Sequence, residues 1–71
     1  MSVATMLTGV ASHRIRRFEE FGLFAPSRTQ AGQRLFSDRD IALIREIATL
    51  EGQGVNLPGV RVILGLKQVV K

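Results

Sequence analysis

The sequence predicts a single, mainly α-helical domain with one short β-hairpin near its middle. Seventy-one residues are enough for one small domain, and 45% of them are apolar. Most apolar residues recur at helical spacing, in segments separated by glycine, proline and polar residues. The helical spacing is interrupted over residues 23–36, which contain a proline and a polar stretch. With no cysteine and one histidine, disulfides and cysteine-zinc sites are excluded, and we expect no metal, no cofactor and no enzymatic activity.

The first helix is predicted over residues 2–7. Val3, Met6 and Leu7 lie at positions i, i+3 and i+4, and this spacing predicts that they face the core. Gly9 follows and can adopt the positive φ found at many helix ends. The segment is therefore typical of a short helix followed by a tight turn.

The second helix is predicted over residues 12–21 and ends at a glycine. Ile15, Phe18 and Phe21 share one face of this helix, and most of its basic residues lie on the opposite face. Two short helices joined by a glycine-containing turn form a helix-turn-helix. The sequence places this motif at 2–21.

Residues 23–36 predict a short hairpin, or wing. A proline limits its first strand, and Arg28 and Arg34 flank a polar tip that contains glycine. The two apolar residues at its end, Leu35 and Phe36, are predicted to anchor the hairpin on the core.

A pair of helices is predicted over residues 37–68. Ser37 and Asp40 have the spacing of a capping box, with aspartate in place of the usual glutamate. The helix behind them carries the wide apolar stripe expected of a central core helix. Asn56 is predicted to cap the fourth helix. Its apolar residues follow helical spacing at Val60, Ile63, Leu64 and Leu66. The complete order is a winged helix-turn-helix followed by a helix pair, in one domain over 1–71.

Positive charge is concentrated in the first half of the chain. Ten lysines and arginines oppose six acidic residues, for a net charge of +4 and a pI near 11.2. Residues 1–36 carry five arginines and two glutamates, a net of +3, whereas 37–71 carry five bases and four acids, a net of +1. Because the arginine fork suits phosphates and guanine edges, this distribution predicts a surface that binds a polyanion. Ordinary solvated charge is the alternative.

The densest basic cluster lies in the predicted second helix. His13, Arg14, Arg16 and Arg17 occur within five positions, and no acid precedes Glu19. A helix directly after a tight turn has the position of a recognition helix. We expect Arg14, Arg17 and His13 to contact base edges in a major groove and Arg16 to contact phosphate. A solvated basic face is the alternative.

Four further residues are candidates for contacts with the nucleic-acid backbone. Arg28 and Arg34 stand at the base of the wing, although a solvated loop explains them equally well. Asn56 and Arg61 are expected to add contacts from the unit formed by the third and fourth helices. These complete the predicted site.

No arrangement of residues predicts catalysis or a membrane span. Glu19 and Glu20 are adjacent in a helix and point about 100° apart, so they cannot act as a carboxylate pair. The four phenylalanines could stack on unpaired bases, but their spacing favours the core. The longest strongly apolar run, 62–66, is far shorter than the roughly 20 residues that span a bilayer. We therefore expect a cytoplasmic protein.

The order of these elements and several motifs resemble the DNA-binding domain of MerR-type transcriptional regulators. Residues 15–23, Ile-Arg-Arg-Phe-Glu-Glu-Phe-Gly-Leu, are similar to the family's Leu-Arg-Tyr-Tyr-Glu-x-x-Gly-Leu. Pro26, Gly32 and the segment 34–37 continue the pattern in register. Residues 54–60 resemble the HspR and GlnR/TnrA branches of the family.

The resemblance implies a transcriptional regulator that binds double-stranded DNA sequence-specifically, with helix 12–21 in the major groove. It also implies a homodimeric full-length protein, whose dimerisation and effector regions would follow the fourth helix and are expected to be absent from this chain. The effector cannot be read from the sequence. Two alternatives remain: an excisionase-like architectural protein that bends DNA, and an interaction module for an acidic protein partner.

Three features depart from the family's pattern. Ala11 stands where a capping serine is usual, so Ser12 is predicted to cap the helix one residue later. Arg17 and Phe18 replace a tyrosine pair, which removes two hydroxyls, although Arg17 can supply a stronger, charge-assisted phosphate contact. Gln33 stands where tyrosine, histidine or arginine is frequent in the wing.

Overall fold

The computed structural model describes residues 3–69, with side chains as far as residue 66. In chain order, the elements are α1 (Val3–Thr8), α2 (Ser12–Glu20), β1 (Ser27–Arg28), β2 (Arg34–Leu35), α3 (Asp38–Gly52) and α4 (Leu57–Val69). The predicted mainly α-helical fold with a short β-hairpin is confirmed, and so is the order of its elements. Within the described chain, no helix is long and apolar enough to cross a membrane.

α3 is the central helix of the core. It buries Ile41, Ile44 and Ile47 along one face and packs against α1, α2 and α4. The other buried apolar residues are Ala4, Val10, Ile15, Phe18, Phe24, Leu57, Val60 and Leu64. Because α1, α2 and α4 all rest on α3, the stripe of this helix sets their relative positions.

α1 buries a different face from the one predicted. Ala4 is completely buried, whereas Val3, Met6 and Leu7 are exposed, Met6 by 69%. A helix of six residues has fewer than two turns, so apolar spacing alone cannot select which face meets the core. The small Ala4 side chain faces the core instead. The predicted start of this helix at Ser2 lies outside the described residues.

α2 begins without a side-chain cap. Ala11 has the extended N-cap conformation, but it has no side-chain oxygen that could accept a hydrogen bond from the first turn. Ser12 is already inside the helix, and its hydroxyl shares a 3.0 Å hydrogen bond with the Thr5 hydroxyl. The prediction that Ser12 caps the helix is therefore wrong. The turns before and after α2 use positive φ angles, +73° at Gly9 and +87° at Gly22, as predicted.

The hairpin is minimal. Its two strands have two residues each and pair antiparallel, with Ser27 opposite Leu35. At the tip, Gly32 has a φ of +85° and its N–H donates to the Thr29 carbonyl at 2.9 Å. So few backbone hydrogen bonds give a two-stranded hairpin little stability of its own.

The hairpin is anchored by Phe24 and Phe36 and not by Leu35. Phe24 is buried, Phe36 is half-buried, and their ring centroids are 6.3 Å apart. Leu35 is 54% exposed, so its predicted place in the core is wrong. Successive strand residues point to opposite faces, and Leu35 and Phe36 cannot both face the core.

The helix caps predicted for the second half of the chain are confirmed. The Ser37 hydroxyl accepts a hydrogen bond from the Asp40 N–H at 3.1 Å, and the Asp40 carboxylate accepts one from the Ser37 N–H at 2.9 Å. The Asn56 side-chain oxygen accepts from the Gly59 N–H at 2.9 Å. Each interaction satisfies helix-end N–H groups that have no partner inside the helix.

We expect Phe18→Ala to lower the free energy of unfolding by about 3–5 kcal/mol, because the whole ring is buried. In so small a domain, that loss is close to the total stability. Phe36→Ala should cost less, about 1–2 kcal/mol, since its ring is only partly removed from water. Urea unfolding followed by circular dichroism measures both. Equal losses for the two variants would contradict this description of the core.

Candidate nucleic-acid interface

α2 turns its basic residues away from the core. Ile15 and Phe18 are buried, whereas His13, Arg16 and Arg17 are exposed. This arrangement follows from the helical period, because residues three positions apart share a face and intervening residues do not. The exposed face of α2 therefore carries most of the positive charge that the sequence concentrates there.

Three of the predicted phosphate-binding arginines surround one groove. The groove has a volume of about 380 Å³ and lies between α2 and the hairpin. Arg16 lines it from α2, and Arg28 and Arg34 line it from the two strands. The side chains of Arg16 and His13 make no hydrogen bond or ion pair with the part of the chain that the structure describes.

Glu19 joins the hairpin to α2. Its carboxylate accepts hydrogen bonds from Arg28 Nη2 at 2.6 Å and from Arg34 Nε at 2.5 Å. Arg28 Nη1 also donates to the Gly32 carbonyl at 3.0 Å, which ties the tip to the first strand. The Glu19 side chain is only 18% exposed, so water screens these charge-assisted bonds less than it would at an open surface.

A second glutamate joins α2 to the core helix. Glu51, in the last turn of α3, accepts from Arg14 Nη2 at 2.9 Å and from Arg17 Nη2 at 2.6 Å. The Arg14 guanidinium carbon also lies 5.8 Å from the centroid of the Phe18 ring. No sequence pattern pointed to Glu51, because the residues that it contacts lie 34 and 37 positions away.

The two candidates from the second half of the chain have structural contacts and do not line the arginine groove. Asn56 caps α4 through its side-chain oxygen. The Arg61 guanidinium lies 4.5 Å from the centroid of the Phe21 ring, and it donates to the Phe21 carbonyl at the end of α2. Contacts of Asn56 and Arg61 with nucleic acid stay a prediction.

The chemistry of this surface is that of a cationic donor array. Within residues 3–66, the structure has no cluster of three or more histidine, aspartate or glutamate side chains that could hold a metal ion. Each guanidinium has five N–H donors and no acceptor. An array of this kind is suited to phosphate oxygens and to the acceptor edge of guanine.

Comparisons with known proteins give one family match and several similar regulators. A model of the MerR HTH family of regulatory proteins matches residues 1–67. The putative heat shock protein HspR of Streptomyces coelicolor is 37% identical over 71 residues, which cover 99% of this chain and 47% of HspR. The HTH-type transcriptional regulator GlnR of Bacillus anthracis is 39% identical over 62 residues, which cover 87% of this chain and 48% of GlnR. The chain thus spans about half the length of these two relatives.

We expect Glu19→Gln to loosen the hairpin, because it removes the charge that holds both strand arginines. The free energy of unfolding should fall by about 1 kcal/mol. Amide hydrogen exchange should accelerate most at Thr29, whose N–H bonds to the Gln33 carbonyl across the tip. Glu20→Gln is the matched control, since Glu20 is an exposed neighbour on the same helix. Similar exchange rates in the two variants would show that Glu19 does not hold the hairpin.

Proposed function

The chain belongs to the MerR family of helix-turn-helix regulatory proteins, and on that premise we propose that it binds double-stranded DNA sequence-specifically for a transcriptional regulator. The observation that carries this proposal is the groove between α2 and the hairpin, which Arg16, Arg28 and Arg34 line together. Three guanidiniums from separate elements converge there on a space open to solvent. Their positive charge suits the phosphates of a DNA backbone.

α2 is the proposed recognition helix. Its nine residues make a rod about 13 Å long, and a B-DNA major groove admits such a helix. His13, Arg14 and Arg17 are the proposed contacts with base edges. Each arginine bonded to Glu51 uses one of its five N–H donors there, which leaves donors for guanine O6 and N7.

The hairpin is the proposed wing, and it binds the backbone next to the recognition helix. Arg34 bonds to Glu19 through Nε, so both of its terminal nitrogens keep their donors. Arg28 and Arg16 add charge on the same side. Contacts with phosphates fix the position of α2 on the duplex but carry no sequence information directly.

The whole regulator is proposed to act as a homodimer on a near-palindromic site in the bacterial cytoplasm. The curated relatives HspR and GlnR are about twice as long as this chain, and a regulator of that length has room for a dimerisation region. Joining two half-site contacts makes the second intramolecular, which can raise avidity by about 10²–10⁴.

Selection from a library of random duplexes tests the proposed function. The chain should enrich one short motif, and its affinity should fall steeply as salt rises. Two other outcomes would replace the proposal. Bending of duplex DNA without an enriched motif would indicate an architectural protein, and binding to an acidic polypeptide but not to DNA would indicate a protein-interaction module.

We expect Arg16→Ala to weaken binding to every duplex by a similar factor and to reduce the slope of log affinity against log salt by about 0.9, the value for one lost phosphate contact. Arg39→Ala is the control, because Arg39 is an exposed arginine on α3, outside the proposed interface. Fluorescence anisotropy at several salt concentrations measures both slopes. An equal slope for Arg16→Ala and the unmodified chain would remove Arg16 from the interface.

We expect two copies of this chain joined by a flexible linker to bind a palindrome about 10²–10⁴ times more tightly than a single copy binds one half-site. The control duplex keeps one half-site and has the bases of the other scrambled, which removes the second specific contact but keeps the base composition. Equal affinity for both duplexes would contradict the proposed gain from joining two half-site contacts.

A further inference from the structure

Glu51 contacts two proposed recognition arginines with one carboxylate. We propose that it is a positioning residue that raises the preference of the protein for its own site over other DNA. This inference rests on the proposed function, because it concerns how α2 distinguishes bases from phosphates.

Glu51 holds the Arg14 and Arg17 guanidiniums from a position that the core fixes. Its two oxygens bond to different arginines, Arg14 at 2.9 Å and Arg17 at 2.6 Å, and the side chain is 16% exposed. Ile47, one turn earlier on α3, is completely buried. The carboxylate therefore projects from a helix that the core holds in place, and the two guanidiniums are oriented before any DNA arrives. Such preorganisation lowers the ordering cost of binding.

The Arg14 guanidinium contacts two side chains, whereas that of Arg17 contacts one. The Arg14 guanidinium lies near the Phe18 ring as well as bonding to Glu51. Among the described residues, the Arg17 guanidinium bonds only to Glu51, and the Arg17 side chain is 58% exposed. Loss of Glu51 should therefore free Arg17 more than Arg14.

The charge of Glu51 separates the two kinds of DNA contact. The edge of guanine offers neutral acceptors, and an arginine that gives one N–H to Glu51 still has donors for them. A phosphate is an anion, so the carboxylate repels it and already neutralises part of the charge that would attract it. Glu51 thus weakens contacts that every sequence offers and spares contacts that only some sequences offer.

Arg16 provides the contrast on the same helix. It has no counter-ion among the described residues and lines the groove with the wing arginines. Arg16 therefore keeps its full attraction to the backbone, whereas Arg14 and Arg17 share the Glu51 carboxylate and the wing arginines share that of Glu19. On α2, the arginine without a counter-ion is the proposed phosphate contact, and the two that carry one are proposed to contact bases.

The test compares Glu51→Gln with Glu20→Gln in the full 71-residue chain. Both variants remove one negative charge near α2, but Glu20 is exposed and makes no side-chain hydrogen bond or ion pair with the described residues. Each is titrated with the duplex selected by the unmodified chain and with a random-sequence duplex of the same length, over a series of salt concentrations. The measured quantity is the ratio of the two affinities.

We expect Glu51→Gln to raise affinity for the random duplex by about eightfold near 0.1 M salt for each arginine that gains a phosphate, and to steepen its salt slope by about 0.9. The affinity ratio should fall by a similar factor. Glu20→Gln should raise both affinities alike and leave the ratio unchanged. Equal ratios in the two variants would overturn the inference and would leave the proposed function intact.

Two further variants distinguish the effect of the position of the Glu51 carboxylate from the effect of its charge. Glu51→Asp keeps the charge but shortens the side chain, so the ratio should again fall. In an Arg17→Gln background, Glu51→Gln should change the ratio much less, because the effect passes through Arg17. If both Glu51 variants unfold, as judged by circular dichroism, the residue is structural and the inference is overturned. If the unmodified chain binds neither duplex, the proposed function itself fails.

Discussion

One carboxylate, that of Glu19, joins both strands of the wing to α2. The hairpin has two residues in each strand, and a hairpin of that size is marginal in water without further support. Phe24 and Phe36 fix its base, but the tip extends beyond their reach. Glu19 supplies the missing constraint by bonding to an arginine of each strand from a helix that the core holds. That link joins the wing to the helix beside the groove that Arg16 lines.

A basic binding surface must keep its charges together before a ligand neutralises them. Like charges repel, and the repulsion grows as solvent is excluded. Here Glu19 and Glu51 each stand between two arginines, so four guanidiniums are held by two carboxylates. The surface keeps a net positive charge, but its guanidiniums have defined orientations. Arg17, which stands where the family commonly has tyrosine, adds a charge that Glu51 offsets.

Features encoded by near neighbours were predictable from the sequence, and features set by distant contacts were not. The Ser37 capping box and the Asn56 cap involve residues three apart and are present as predicted. The buried face of α1 and the outward direction of Leu35 depend on how elements pack, which local spacing cannot decide. The glutamate that organises Arg14 and Arg17 comes from another helix. The arginines that the structure brings together were therefore visible in the sequence, but the α3 glutamate that bonds to two of them was not.

The end of α2 is fixed by a contact of the same long-range kind. Arg61, in the second turn of α4, lies over the Phe21 ring and donates to the Phe21 carbonyl. A cation at a helix C-terminus interacts favourably with the helix dipole and with carbonyls that have no partner in the helix. Charged side chains thus link α2 to α3 through Glu51, to the hairpin through Glu19 and to α4 through Arg61. Two side chains of α2 are buried and a glycine turn lies on each side of it, so these links add to the apolar packing that sets its rotation.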